Sequence, residues 1–150
     1  GNRRGCINPG PTIIRWNGVW ACPAAGVLPA AVDRHLNGVF MLSTTDGWAV
    51  GNSDGTRPTV LRWDTNCNGV GATGIWNDCT NSIPAVNQNL NSVLMITAND
   101  GWAAGNGGLL LHWDGFAWSQ IASGTNQNLN SIYVIGPRQR PQAAWQEVIP

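Results

Sequence analysis

Apolar residues in this chain come in runs of three to five, each closed by a cluster of Gly, Asn, Asp or Ser. Val93-Leu94-Met95-Ile96 is followed by Asn99-Asp100-Gly101, and Trp102-Ala103-Ala104 by Gly105-Asn106-Gly107-Gly108. Leu109-Leu110-Leu111-His112-Trp113 then runs into Asp114-Gly115, and Ala117-Trp118-Ser119-Gln120-Ile121 into Ser123-Gly124-Thr125-Asn126-Gln127-Asn128. Runs of this length suit strands rather than helices, and the clusters between them are turn chemistry. The first run is apolar throughout, which predicts a strand buried on both faces. The small residues of the second predict close packing near a crowded axis.

The same paragraph recurs along the chain. Leu36-Asn37-Gly38-Val39-Phe40-Met41-Leu42 is echoed by Leu90-Asn91-Ser92-Val93-Leu94-Met95-Ile96 and by Leu129-Asn130-Ser131-Ile132-Tyr133-Val134-Ile135. Asp46-Gly47-Trp48-Ala49-Val50-Gly51-Asn52 returns at 100–106, and Val60-Leu61-Arg62-Trp63-Asp64 at 110–114. Four antiparallel strands in about 40 residues predict an all-β fold of β-propeller-type, four-stranded blades. Blades are expected at 36–89 and 90–128, flanked by complementary half-blades at 1–35 and 129–150. Leu36 to Leu90 spans 54 positions but Leu90 to Leu129 only 39, and the surplus predicts a loop at 65–80 inserted between the third and fourth strands.

The ends carry the halves. Gly1-Asn2 matches Gly51-Asn52, and Ile13-Ile14-Arg15-Trp16-Asn17-Gly18-Val19-Trp20 reads as a third strand, a turn and a fourth strand. Ile132-Tyr133-Val134-Ile135 reads as a first strand, with a degenerate second strand at Ala143–Val148. Propellers close with four to eight blades, so two blades and two halves predict completion between molecules, or a piece of something longer. The opening Gly1 in place of Met points the same way, to a processed chain or a fragment.

Composition narrows the function classes. The chain has 8 Arg, no Lys and a formal charge of zero, which argues against nucleic acid as a partner. No apolar run approaches the roughly 18 residues of a membrane span. Four cysteines allow three pairings; the local pairs Cys6–Cys22 and Cys67–Cys79 are favoured, each closing a loop worth about 3 kcal/mol. The expected protein is disulfide-stabilised and extracellular or at the cell surface. No Cys-x-x-Cys pair occurs and the two His lack ligand spacing, so neither a metal nor a cofactor is expected.

The run Asp-Gly-Trp-Ala-Val-Gly, an apolar strand and then Trp-Asp-Gly-x-x-Trp resembles propeller repeats of the photosystem-II assembly-factor and BNR (Asp-box) kind. In those repeats an Asp-x-Gly-x-x-Trp turn joins the third and fourth strands, where Asp114-Gly115-Phe116-Ala117-Trp118 falls here. The leading Ser/Thr of the Asp-box is absent, and the first repeat replaces the turn with the cysteine loop. Such repeats host assembly factors, lectins, sialidases and structural proteins, so the resemblance implies a fold and selects no activity.

Candidate sites are weighed against plain packing. Trp48/Trp102, Trp16/Trp63/Trp113 and Trp20/Trp76/Trp118 sit at matched positions, as core packing between repeats requires. Trp76, beside the inserted loop, is expected to be partly exposed and is a candidate ligand contact. Arg15, Arg62 and His112 share one third-strand position and could hold an anion. Asp46/Asp100 and Asp64/Asp114 are expected to brace turns through local amides rather than act as an acid–base pair. No catalytic residue is expected, and Tyr133 is placed inside a buried strand.

The resulting expectation is a non-enzymatic, self-assembling structural protein whose partners are copies of itself. Ile13, Ile14, Arg15 and Trp16 would pair with strands of another copy, as would Ile132, Tyr133, Val134 and Ile135, building an oligomer or filament. The alternatives are a glycan- or protein-binding, lectin-like module and a fragment of a sialidase-like enzyme.

Overall fold

The computed structural model describes residues 13–16, 18–21, 34–63 and 74–135. Among them the regular structure is all strand, apart from two short 3-10 turns at Thr80–Ser82 and Asn106–Gly108. The strands are β1 (Arg15–Trp16), β2 (Trp20–Ala21), β3 (Leu36–Met41), β4 (Gly47–Ser53), β5 (Pro58–Trp63), β6 (Trp76–Asp78), β7 (Leu90–Thr97), β8 (Asp100–Gly105), β9 (Leu110–Trp113) and β10 (Trp118–Gln120). β1 and β2 form a small hairpin, and the rest make two four-stranded antiparallel sheets, β3-β4-β5-β6 and β7-β8-β9-β10, each in sequence order. Neither sheet closes on itself.

The turn clusters seen in the sequence sit where the chain reverses. Asp114 Oδ1 accepts from the amides of Phe116 and Ala117 at 2.8 and 2.9 Å, closing the β9–β10 turn. Asp54 does the same between β4 and β5, accepting from the Thr56 hydroxyl at 2.6 Å and from the Thr56 and Arg57 amides.

Register repeats between the sheets. Phe40, Trp48, Arg62 and Asn77 form one cross-strand row, and Leu94, Trp102, His112 and Ser119 the same row 54 residues on for the first two strands. Each sheet has a bulge at the same place, because Leu36 pairs with Gly51 and Gly38 with Val50, just as Leu90 pairs with Gly105 and Ser92 with Ala104. Asn37 and Asn91 are the extra residues of these bulges.

Two glycine positions repeat for steric reasons. A Cβ on Gly51 or Gly105 would meet the backbone carbonyl oxygen of His35 or Asn89. A Cβ on Gly47 or Gly101 would meet the sulfur of Met41 or Met95.

Several expectations are corrected. The first strand is not buried on both faces: β3 and β7 alternate between more and less covered residues, because each face meets a different neighbour. Ile132–Ile135 forms no strand, and of Ile13–Trp16 only Arg15 and Trp16 do, since no ladder partner runs beside the rest among the described residues. Tyr133, placed in a buried strand, is exposed. Cys79 is buried and disulfide-bonded. Cys6, Cys22 and Cys67 lie outside the described residues, as do most of the loop (64–73), Gly1-Asn2 and the second strand expected at 143–148. No helix among the described residues is long and apolar enough to cross a membrane.

Gly105→Ala is expected to lower the unfolding free energy by roughly 2 kcal/mol in urea titrations, since its Cβ meets rigid backbone. Gly101→Ala should cost less, because the Met95 side chain can swing aside. Equal costs would show that the Asn89 carbonyl yields.

The Thr56 hydroxyl and the Arg57 and Thr56 amides hold the Asp54 carboxyl down to about 2 from 3.8. A depressed folded-state value means that this turn contributes stability above the unfolded carboxylate value and loses it as pH falls towards 2. An NMR acid titration should therefore place the Asp54 midpoint near 2; an ordinary midpoint would mean that the turn is not closed in solution.

Candidate assembly interface

The two sheets meet through faces that are not alike. Cross-strand rows put Gly38, Phe40, Trp48, Val50, Val60 and Arg62 on one side of β3–β6, here called the leading face. Val39, Met41, Gly47, Ala49, Leu61, Trp63 and Trp76 lie on the other, trailing face. In β7–β10 the trailing face holds Val93, Met95, Gly101, Ala103, Leu111, Trp113 and Trp118, and the leading face Ser92, Leu94, Trp102, Ala104, Leu110 and His112. The leading face of the first sheet packs on the trailing face of the second, with β7 against β3 and β4.

Trp48 is the centre of that contact and is fully buried. Its ring lies 4.9 Å from Trp113 and 5.4 Å from Trp118, the latter edge-on, which are the favoured tilted and T-shaped arrangements. The Arg62 guanidinium covers Trp48 at 4.8 Å and Trp113 at 5.6 Å. Asp46 meets it through Nε at 3.1 Å and Nη2 at 3.3 Å. A buried cation is costly unless paired, and here a carboxylate and two aromatic faces share it.

Asparagine amides fasten the sheets at one edge. The Asn37 amide donates to Asn52 Oδ1 in its own sheet and to the Leu90 carbonyl at the start of the next, both at 2.9 Å. Asn91 repeats this with Asn106 Oδ1 and the Leu129 carbonyl, again at 2.9 Å. Asn89 Oδ1 accepts from the Ser53 amide, and Asn128 Oδ1 from the Gly107 amide. Segment 129–135 therefore meets the second sheet as β7 meets the first, with two further bonds, Leu129 N to Gly105 O and Ile132 N to Ser92 Oγ. The bulges make this possible, since they carry the asparagine out of the ladder.

The proposed ligand contacts fare differently. Trp76 is 5% exposed, packed at 5.5 Å on Trp63, because the strand after the loop returns it to the sheet. Arg62 is buried with its carboxylate and offers no open anion site. His112 bonds Asp100 at 2.9 Å and stacks on Trp102 at 4.4 Å, half-exposed. Arg15 is exposed. Asp46 and Asp100 do not brace turns with their carboxylates as expected; they cross to the third strand. Asp114 braces its turn, and local amide donors lower its carboxyl below the usual value. Asp64 lies outside the described residues.

The sequence reading missed the asparagine bonds, although the repeated Leu-Asn and Gly-Asn pairs carried the signal. Among the described residues no three His, Cys, Asp or Glu gather as metal ligands would. A shallow concavity of about 720 Å³ beside Gly107 and Gly108 is lined otherwise by the 120–127 segment, whose polar groups are amides and hydroxyls.

Asp46→Ala should destabilise the chain by about 3 kcal/mol, the cost of stranding a buried guanidinium. Asp100→Ala should cost less than about 1 kcal/mol, because His112 and Asp100 are substantially exposed. Urea unfolding of both variants checks the order, and reversal would mean that Arg62 finds water on losing Asp46.

Comparison with protein-family models, with curated proteins and with solved structures gave no match.

Proposed function

We propose that this chain is a non-enzymatic, extracellular structural module whose copies join head to tail, completing propeller-type blades between molecules. The observation that supports this reading is the one-way character of the sheet contact. Leading and trailing faces differ, so stacking one on the other always leaves a further face of each kind at the ends.

Those outer faces carry apolar side chains. Val39 and Met41 are 54% and 46% exposed, whereas their counterparts Val93 and Met95, covered by the first sheet, are 6% and 3% exposed. Tyr133 and Ile135 are exposed on the segment that follows the second sheet. Segment 129–135 has the sequence of a first strand and the β1–β2 hairpin that of a third and fourth, which is the composition of one split blade. The likeness to photosystem-II assembly-factor and Asp-box repeats supports the blade reading alone. The disulfide bond of Cys79 supports an oxidising compartment, with Cys67 as its proposed partner and Cys6–Cys22 as the second pair.

A second reading, a glycan-binding module, rests on Trp16 and Trp20, which are 58% and 66% exposed. Light scattering and negative-stain images of the purified chain decide between them. Discrete oligomers or fibres are expected, and removing residues 129–150 should leave soluble, non-associating chains. A monomer at all concentrations would overturn the assembly reading and move glycan binding, read by tryptophan fluorescence, to the front.

A further inference from the structure

Three tryptophan pairs occupy one position in the repeat. Trp63–Trp76, Trp113–Trp118 and Trp16–Trp20 each join the last residue of a third strand to the first of a fourth, with ring centroids 5.5, 5.7 and 5.1 Å apart. Trp113–Trp118 is buried because it seats on Trp48 and Arg62 of the preceding leading face. Trp16–Trp20 stands exposed.

The leading face of β7–β10 is the register counterpart of the one that Trp113 and Trp118 cover. Trp102 stands for Trp48, Leu94 for Phe40, and the His112–Asp100 contact for Arg62–Asp46. Trp48 is fully buried, whereas Trp102 and His112 are partly exposed. Segment 129–135 lies along the β7 side of this face, as its bonds to Gly105 and Ser92 require.

We propose that the Trp16–Trp20 pair of a second copy of this chain seats on Trp102 and His112, repeating the contact that Trp113 and Trp118 make with Trp48 and Arg62. This rests on the assembly reading and names the side chains that carry it. The hairpin of the same copy is badly placed to do so. Ile13, at its root, packs with the Ala49, Leu61 and Trp76 cluster on the trailing face of β3–β6, while β7–β10 lies on that sheet's leading face. Sheet layers are about 10 Å apart, so roughly 20 Å of packed sheet separates a hairpin layer from the layer that bears its own Trp102. The contact is heterologous, and each copy offers one pair and one face.

The test compares the wild-type chain with Trp16→Ala/Trp20→Ala, which alters exposed side chains and should keep the wild-type thermal transition, and with Trp102→Ala. Wild type should assemble in light scattering, and each variant should associate at least tenfold more weakly. Mixing the two variants should restore pairs and no longer species, because one supplies the hairpin and the other the face. If wild type assembles and the hairpin variant assembles equally well, this contact is wrong while the assembly reading stands. Folded variants that fail to pair on mixing overturn it too. If wild type stays monomeric, the assembly reading falls and takes this contact with it. Should Trp102→Ala fail to fold, the hairpin variant alone decides.

Discussion

The arrangement depends on Trp48, which meets the Arg62 guanidinium and the Trp113 and Trp118 rings together, with Arg62 lying over Trp113 as well. That contact joins β4 and β5 of one sheet to β9 and β10 of the next and brings a charged group into the apolar layer. Asp46 offsets the charge, and the aromatic faces supply much of what water would have given. Around it, Val50 and Val60 meet Val93, Met95 and Leu111, so apolar burial and electrostatics act at one place. The second sheet repeats the design in a lighter form, with His112 for Arg62, and there the paired side chains keep part of their surface in water.

Polar bonds set the spacing that this packing needs. The bulges at Asn37 and Asn91 interrupt a ladder, which is locally unfavourable, and each places an amide where it joins two segments. A side-chain amide has two donors, so one Asn can tie its own sheet and the next at once. The glycines at 51 and 105 let the preceding chain cross close by. Bulge, asparagine and glycine thus act as one device, repeated at the same offset in both sheets.

Much of this was legible beforehand and some was not. Strand order, turn positions and the equivalence of the tryptophans follow from runs and spacings, because turns and alternation are local properties. The fate of equivalent residues does not. Trp48 and Trp102 have the same surroundings in sequence, yet one is buried and the other half-exposed. Trp76 was expected near solvent and is buried. Asp46 looked like a turn residue, but Arg62 lies directly across the strands from its neighbour Trp48, and an ion pair with a buried cation outweighs a local amide bond.

By itself the sequence determined a repeat of four short strands, the turns between them and a composition that disfavours nucleic acid as partner. Those are consequences of local conformational preference and of total charge. Tertiary structure alone decided which face of each sheet is covered, which carboxylates meet cations and which apolar positions are left to water. The reason is that burial belongs to a pair of surfaces. A repeat fixes where a side chain points within its sheet, and only the neighbouring layer determines whether anything meets it there.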